Sequence, residues 1–325
     1  MTARVAACAL GLVLLASLPL WVSGTYYVNI SSQILIYAVF ALGLNVLVGY
    51  AGLVSLGHAG LFGLACYAGA VLLAAGWGHA VAIVGALLVT LVGTAVFAGL
   101  ALRATGIGFV MITLALGQIL WGLAYRWISL TNGDNGVSVA TRPAPFGLSL
   151  DGATSFYYAT LIIFVFTLAA VAVFVRSPFG ASLRGTRDQP RRMTALGYHV
   201  WLIRFYGCLF SGLISGVAGV LYLYYNLFIS PQALSLASSA EVLLMVISGG
   251  SGTLLGPIAG AALVVMVKNV ASAYVERWNL LLGAIFVAIV VFMPEGFVPG
   301  SVRLVRWAFE SSRRRLARLP AEGGP

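Results

Sequence analysis

Ten apolar runs, most close to twenty residues long, follow one another along the chain: roughly 4–23, 29–48, 53–75, 80–102, 107–128, 156–175, 204–225, 239–250, 256–275 and 279–298. About 20 apolar residues is the length a helix needs to cross a bilayer. Within the hydrocarbon, only helices and closed barrels satisfy their own backbone groups. The runs therefore predict an all-α, polytopic integral membrane protein of about ten transmembrane helices, some short or broken. Composition closes off the alternatives. Of 325 residues, 8% are charged and 61% hydrophobic, with a mean hydropathy of +1.02. A water-facing domain carries about 25% charged residues. A soluble enzyme, a nucleic-acid-binding domain and a disulfide-stapled secreted module are all excluded. Cys8, Cys66 and Cys208 lie inside apolar runs without a CxxC pair, so they read as small buried hydrophobes. No metal site, cofactor or catalytic group is expected.

The net charge of +10 is placed unevenly. Six arginines fall between Arg176 and Arg204 and six more between Arg303 and Arg318. Basic clusters beside apolar runs mark cytoplasmic segments. With 176–204 in the cytoplasm, ten spans put both termini, Arg103 and the basic tail 303–325 on that side, leaving 1–302 as the membrane domain. Segment 129–155 then lies outside, where Arg142 and the neighbouring Arg126 are offset by Asp134 and Asp151. The first run follows Arg4 as a signal peptide would. It carries no small-x-small cleavage site after Pro19 and Trp21, and is read as a retained helix.

Small residues recur at helical spacing. Gly212 and Gly216 form a GxxxG, and Ser248, Gly252, Gly256 and Gly260 repeat every four residues, a pattern that lets helices approach closely. Two glycine-rich stretches, 48–57 and 246–256, look alike, each following a run with a polar residue (Asn45, Glu241). They are either a structural repeat of the transporter kind or two independent helix contacts. Intramembrane polar residues are few. Glu241, Lys268, Glu276 and Arg277 all stand within snorkelling reach of an interface. Asn45, His58 and Gln118 complete the set, with His58 read as a satisfied histidine near the inner interface. No acidic or histidine relay crosses the bilayer, and no GxxxxGK[ST] stretch cradles a nucleotide.

The segment 176–204 is too long for a simple connector. Pro178 and Gly180 punctuate its start, and 190–196 predicts a short helix stopped by Gly197. Such a helix either docks into a partner's groove or anchors its arginines on anionic lipid.

Four blocks give the chain a family likeness: ALGLNVLVGYAGLVSLGHA at 41–59, SPFG at 177–180 leading to ALG at 195–197, FISP at 228–231, and GGSGTLLGP at 249–257. In these the chain resembles the permeases of branched-chain amino-acid ABC importers, and its length and the NGDNG segment at 132–136 are similar to the M-type partner of the two paralogous permeases. The resemblance implies a multi-pass permease in the inner membrane of a bacterium. Its implied partners are cytoplasmic ABC ATPases, a second, paralogous permease and an extracytoplasmic substrate-binding protein, with the lipid bilayer around it and no nucleic acid. It implies an ATPase-coupling loop containing Pro178, Gly180, Arg184, Arg187, Asp188, Ala195, Leu196 and Gly197. It offers Asn45, Gly52, Ser55, His58, Gln118, Glu241, Gly249, Gly252 and Pro257 as translocation-path or helix-packing residues. One departure touches the coupling loop: the family usually has an acidic and small residues before Ala195, where this chain has Pro190, Arg191, Arg192 and Met193. A permease of the same superfamily for urea, short amides or aromatic acids is the alternative reading, followed by a stand-alone secondary transporter or channel.

Overall fold

The structure, a computed structural model, describes residues 24–144 and 149–274 together with scattered positions between 11 and 21 and between 280 and 296. Most of the first expected span, all but isolated positions of the last, the basic tail 303–325, Glu276 and Arg277 lie outside the described residues.

Eight apolar helices make up the described membrane domain. These are α1 (Thr25–Asn45, continued by a π-helical turn Val46–Ala51), α2 (His58–Ala74), α3 (His79–Ala101), α4 (Ile107–Arg126), α5 (Ala153–Arg176), α8 (Val200–Asn226), α9 (Leu236–Gly249) and α10 (Gly256–Tyr274). Two helices between α5 and α8, α6 (Pro178–Asp188) and α7 (Pro190–Ala195), are polar. Five of the apolar helices are long enough to cross a membrane; α2, α9 and α10 are shorter apolar stretches. The expected spans at 29–48, 80–102, 107–128, 156–175, 204–225, 239–250 and 256–275 are helical over nearly all of their described residues. The one at 53–75 is helical only from His58. Residues 52–57 are non-helical, because Gly52 takes a left-handed backbone (φ 69°) that ends the helix before it.

Helices α1 and α8 form the centre: 83% of the apolar window of α1 is buried, against 22% for α4. Their contact depends on small residues. A methyl placed on Gly43 of α1 would stand 2.9 Å from Ser215 Oγ of α8. The expected GxxxG on α8 also has a partner. A Cβ on Gly212 would lie 2.2 Å from Thr94 Oγ1 of α3, and one on Gly216 3.0 Å from Thr90 Cγ2. Both threonine hydroxyls donate 2.7 Å bonds to carbonyls one turn back, Thr90 to Ala86 and Thr94 to Thr90; Thr90 turns its methyl to Gly216, and Thr94 lays both its hydroxyl and its methyl against Gly212. In a bilayer, where lipid tails are as apolar as the helices, this van der Waals fit replaces the hydrophobic drive. The other sides of α3, α4 and α5 expose Val84, Val92, Ile119 and Phe166, as lipid-facing surfaces do.

At the end of the bundle opposite α6 and α7, the segment after α4 makes a four-residue helical turn (Ile128–Thr131) and a 3-10 turn (Gly133–Asn135). It then adds β1 (Val137–Ser138) antiparallel to β2 (Phe228–Ile229), with Val137 facing Ile229. Arg142 is held by backbone carbonyls, including those of Leu150 (3.3 Å) and Asp151 (3.2 Å). Its guanidinium donates to the carbonyls of Tyr224 (2.9 Å) and Tyr225 (3.1 Å) and lies 4.8 Å above the Phe156 ring. The carbonyl end of a helix carries partial negative charge, so α8 itself supplies the counter-charge.

Candidate functional site

The two look-alike glycine stretches meet. Asn45, fully buried at the end of α1, donates through Nδ2 to the Thr253 carbonyl (2.8 Å) and accepts at Oδ1 from the Gly252 amide (2.9 Å). One side-chain amide thus satisfies two backbone groups of the break between α9 and α10, 207 residues away. Gly49 permits this approach: a Cβ there would stand 2.3 Å from Gly252 N and 2.4 Å from Asn45 Oδ1. Gly249 and Gly260 do the same within the α9–α10 hairpin, where added methyls would fall 1.8 Å from the carbonyl oxygens of Gly256 and Met245. Gly249 ends α9, and Pro257, buried, follows Gly256 in the first turn of α10, where its missing N–H costs nothing. The Thr253 hydroxyl accepts from the Gly256 amide (3.0 Å) and closes the turn.

Arg187 of α6 joins both breaks to the polar face. Its guanidinium donates to the Gly49 carbonyl, its aliphatic stem would touch a Cβ on Gly52, and its Nη1 lies 3.7 Å from the Cβ position of Gly252. The neighbouring Asp188 is 3.9 Å from Arg187 Nε, an exposed contact of little weight. Arg184 folds back on its own helix and on α5, donating to the carbonyls of Gly180 (3.4 Å) and Val175 (3.3 Å). Arg204 of α8 donates to the Thr186 carbonyl at 2.6 Å and holds the far end of α6.

The local sequence explains α6 and α7. Ser177 caps α6 by accepting from the Gly180 amide (3.2 Å), and Pro178 occupies the first position. Gly180 is therefore part of the cap rather than loop punctuation. A Cβ on it would press within 2.5 Å of the Phe174 and Val175 carbonyls. The predicted short helix at 190–196 is present as α7. Gly197 ends it with φ 87° and open space around it. No residue of α7 is buried; Ala195, Leu196, Gly197 and Tyr198 are exposed, with Leu196 65% exposed. The segment expected as one loop with a short helix is two helices, one packed and one presented.

His58 departs from expectation. It starts α2 beside α1 residue Gly43, not at an interface. Gly43 precedes Gly52 by nine residues, about 13 Å along a helix. Residues 52–57 climb this distance in non-helical form. The Ser211 hydroxyl donates to the Gly43 carbonyl (2.5 Å), which leaves His58 Nε2 to donate to Ser211 Oγ at 3.1 Å. His58 Nδ1 and Ser55 Oγ are buried without a hydrogen-bond partner among the described residues. The start of α2 is received by α4 and α9: Leu56 N donates to Thr113 Oγ1 (3.2 Å) and Ala59 N to Ser239 Oγ (3.1 Å). A Cβ on Gly57 would overlap the Thr113 carbonyl at 2.0 Å. Gln118 sits half-buried on α4, next to Gly117, which packs on Gly57.

Glu241 and Lys268, read in the sequence as separate snorkelling charges, form an ion pair across α9 and α10. Lys268 Nζ lies 3.0 Å and 3.1 Å from the two carboxylate oxygens, with the lysine side chain 27% and the glutamate 13% exposed. A sequence signal existed. Each charge lies a few turns from the same glycine break, on opposite strands of an antiparallel hairpin. Ser211, Ser239 and Thr113, which hold the deep start of α2, carried no such signal.

The family model for branched-chain amino acid transport system permease components matches residues 26–290. A high-affinity branched-chain amino acid transport system permease protein, LivM, of Escherichia coli is 29% identical over 89% of this chain and 73% of its own length. LivM of Salmonella typhimurium is 28% identical over 84% of this chain and 70% of its own. A solved chain from an ABC transporter in an inward-facing conformation superposes with a TM-score of 0.49 at 16% identity, over 88% of this chain and 97% of that one, too distant to bear on function. With most of the described helices inside the matched stretch and its glycine motifs meeting at one junction, this chain belongs to the family of branched-chain amino acid transport system permease components.

Proposed function

We propose that the chain is the membrane-spanning permease subunit of an ATP-driven importer for branched-chain amino acids in a bacterial inner membrane. It does no chemistry of its own. Cytoplasmic ATPases dock on α6 and α7, a paralogous permease completes the path, and a binding protein delivers substrate from outside. The observation that carries this reading is the link from α7 to the junction. α7 and the residue that follows it present Arg191, Arg192 and Leu196, all exposed, with none of the described residues covering them. Its neighbour α6 grips Gly49 through Arg187, next to the Asn45 bridge. A push on the polar helices therefore reaches the two breaks through one side chain. A two-state element that distant ligands bias is what coupling between sites requires.

The sidedness follows: 176–204 and the tail 303–325 in the cytoplasm, 129–155 outside. The test is reconstitution in proteoliposomes. Alone, under an imposed proton gradient, the chain should accumulate no L-leucine. With ATPases, second permease, loaded binding protein and ATP, leucine should concentrate. Concentrative uptake by the chain alone would remove this reading.

A further inference from the structure

Paired opposite charges inside a membrane protein are costly and mark function more often than support. Removing one partner leaves a buried charge alone, whereas apolar replacement of both is often neutral. The Glu241–Lys268 pair is neither at a helix end nor sealed. Glu241 lies five residues into α9, about 8 Å, and Lys268 twelve residues into α10, about 18 Å. Both side chains keep partial exposure.

Their surroundings are graded from polar to apolar. The next residue, Asn269, donates to Gln33 Oε1 of α1 at 3.3 Å. Tyr37 and Tyr222 are close enough to the Glu241 carboxylate to interact with it electrostatically. Their rings meet edge-on at 6.3 Å, Tyr222 meets Phe62 at 5.2 Å, and Phe62 stacks on Phe40 at 4.5 Å. Phe40 lies 6.1 Å from the His58 ring at the buried start of α2. The ion pair thus stands near one end of a packed aromatic row whose other end is the deep break.

We infer that Glu241 and Lys268 form a recognition pair for the zwitterionic head group of an amino acid, with the aromatic row receiving its aliphatic side chain. This rests on the importer reading above and deepens it. Closed, the two residues neutralise each other. A zwitterion entering between them gives its ammonium to Glu241 and its carboxylate to Lys268, so one ion pair becomes two and no charge is left unmatched. A cation or an anion of the same size would leave one of the residues alone in a poorly hydrated place. A neutral amide would gain nothing by opening the pair. The pair therefore selects for zwitterions after the binding protein has released its cargo.

A structural pin would explain the same contact, and the test separates the two roles. The complete complex in proteoliposomes is compared with Glu241→Gln, Lys268→Met, the double variant, and the exchanged pair Glu241→Lys/Lys268→Glu. ATP-driven L-leucine uptake is read beside subunit yield. Single variants should lose both yield and uptake. The double variant removes both charges of the pair together and should assemble in better yield than either single variant, with uptake at least tenfold lower. The exchanged pair keeps the pin and should also assemble. It reverses the head-group sites while the aromatic row stays in place, a mirror-image arrangement that an L-amino acid cannot fill, so uptake should again fall at least tenfold. Native uptake in either assembled variant would overturn the recognition role and leave the importer reading intact. No leucine uptake by the native complex would remove both.

Discussion

The two glycine-rich breaks share a sequence style and differ in what they do with it. The break between α9 and α10 is a tight turn: α10 restarts at Gly256, seven residues after α9 ends at Gly249, and Ser251 and Leu255 are exposed. The break between α1 and α2 also spans few residues, but Leu53, Ser55 and Gly57 are buried and the next helix begins deep in the bundle. One turns the chain at a surface. The other carries unpaired backbone into the protein, which a membrane protein tolerates only where protein or water shields it. Here Thr113, Ser239 and Ser211 provide that shield. Glycine spacing alone therefore says that the chain breaks, and the neighbours decide whether the break turns back or descends.

Substitutions can probe that difference in order of severity. Gly49→Val should be worst, since even a Cβ there meets the Gly252 amide at 2.3 Å. The two breaks cannot then touch, and we expect loss of a monodisperse, detergent-purified permease by size-exclusion chromatography. Native elution of this variant would show that the breaks do not need each other.

Asn45→Ala comes next. It leaves the part-buried Gly252 amide and Thr253 carbonyl without their side-chain partner, at a cost towards the lower end of the about 1–3 kcal/mol of a fully buried unsatisfied group. The purified protein should melt several degrees lower yet remain folded. Asn45→Asp keeps the acceptor and loses the donor, so it should not restore the native melting temperature.

Arg187→Met should act on coupling rather than on folding. The side chain is 46% exposed, so melting should scarcely move, while binding-protein-stimulated ATP hydrolysis should fall severalfold as the grip on Gly49 is lost. Unchanged stimulation would cut the link between α6 and the junction.

Gly197→Val should disturb the permease least. No atom stands within 4 Å of the added Cβ, and only the left-handed backbone at φ 87° resists it. Membrane insertion and yield should stay native, and stimulated ATPase activity of the assembled complex should drop. If 176–204 were a lipid anchor, one uncharged change among its arginines would leave that activity unaltered.

The depth of His58 shows where legibility in the sequence ended. Its apolar flanks were plain, and hydropathy alone drew a span from 53 to 75. Hydropathy averages over a window and is blind to five or six non-helical residues inside it, particularly when they are as apolar as Leu53-Val54-Ser55-Leu56. The coupling segment was more readable. Gly197 is a local signal that acts through its own backbone, and it stands where the sequence puts the end of a helix, whereas Pro178 and Gly180, which read in the sequence as loop punctuation, stand at the start of a helix.

The sequence by itself determined the class of the molecule: apolar runs of bilayer length, too few charges for a water-facing surface, and small residues at helical spacing where helices meet. These follow from solvent and local geometry, which each stretch of chain feels independently of the rest. Only the tertiary structure decided that Asn45 spans to Gly252, that Arg187 reaches Gly49, that Glu241 finds Lys268 and that α2 starts deep in the bundle. Each depends on a hydrogen bond or ion pair between residues far apart in the chain. A polar side chain in an apolar run states only that it must find a partner. Which partner it finds is set by the packing of every helix around it.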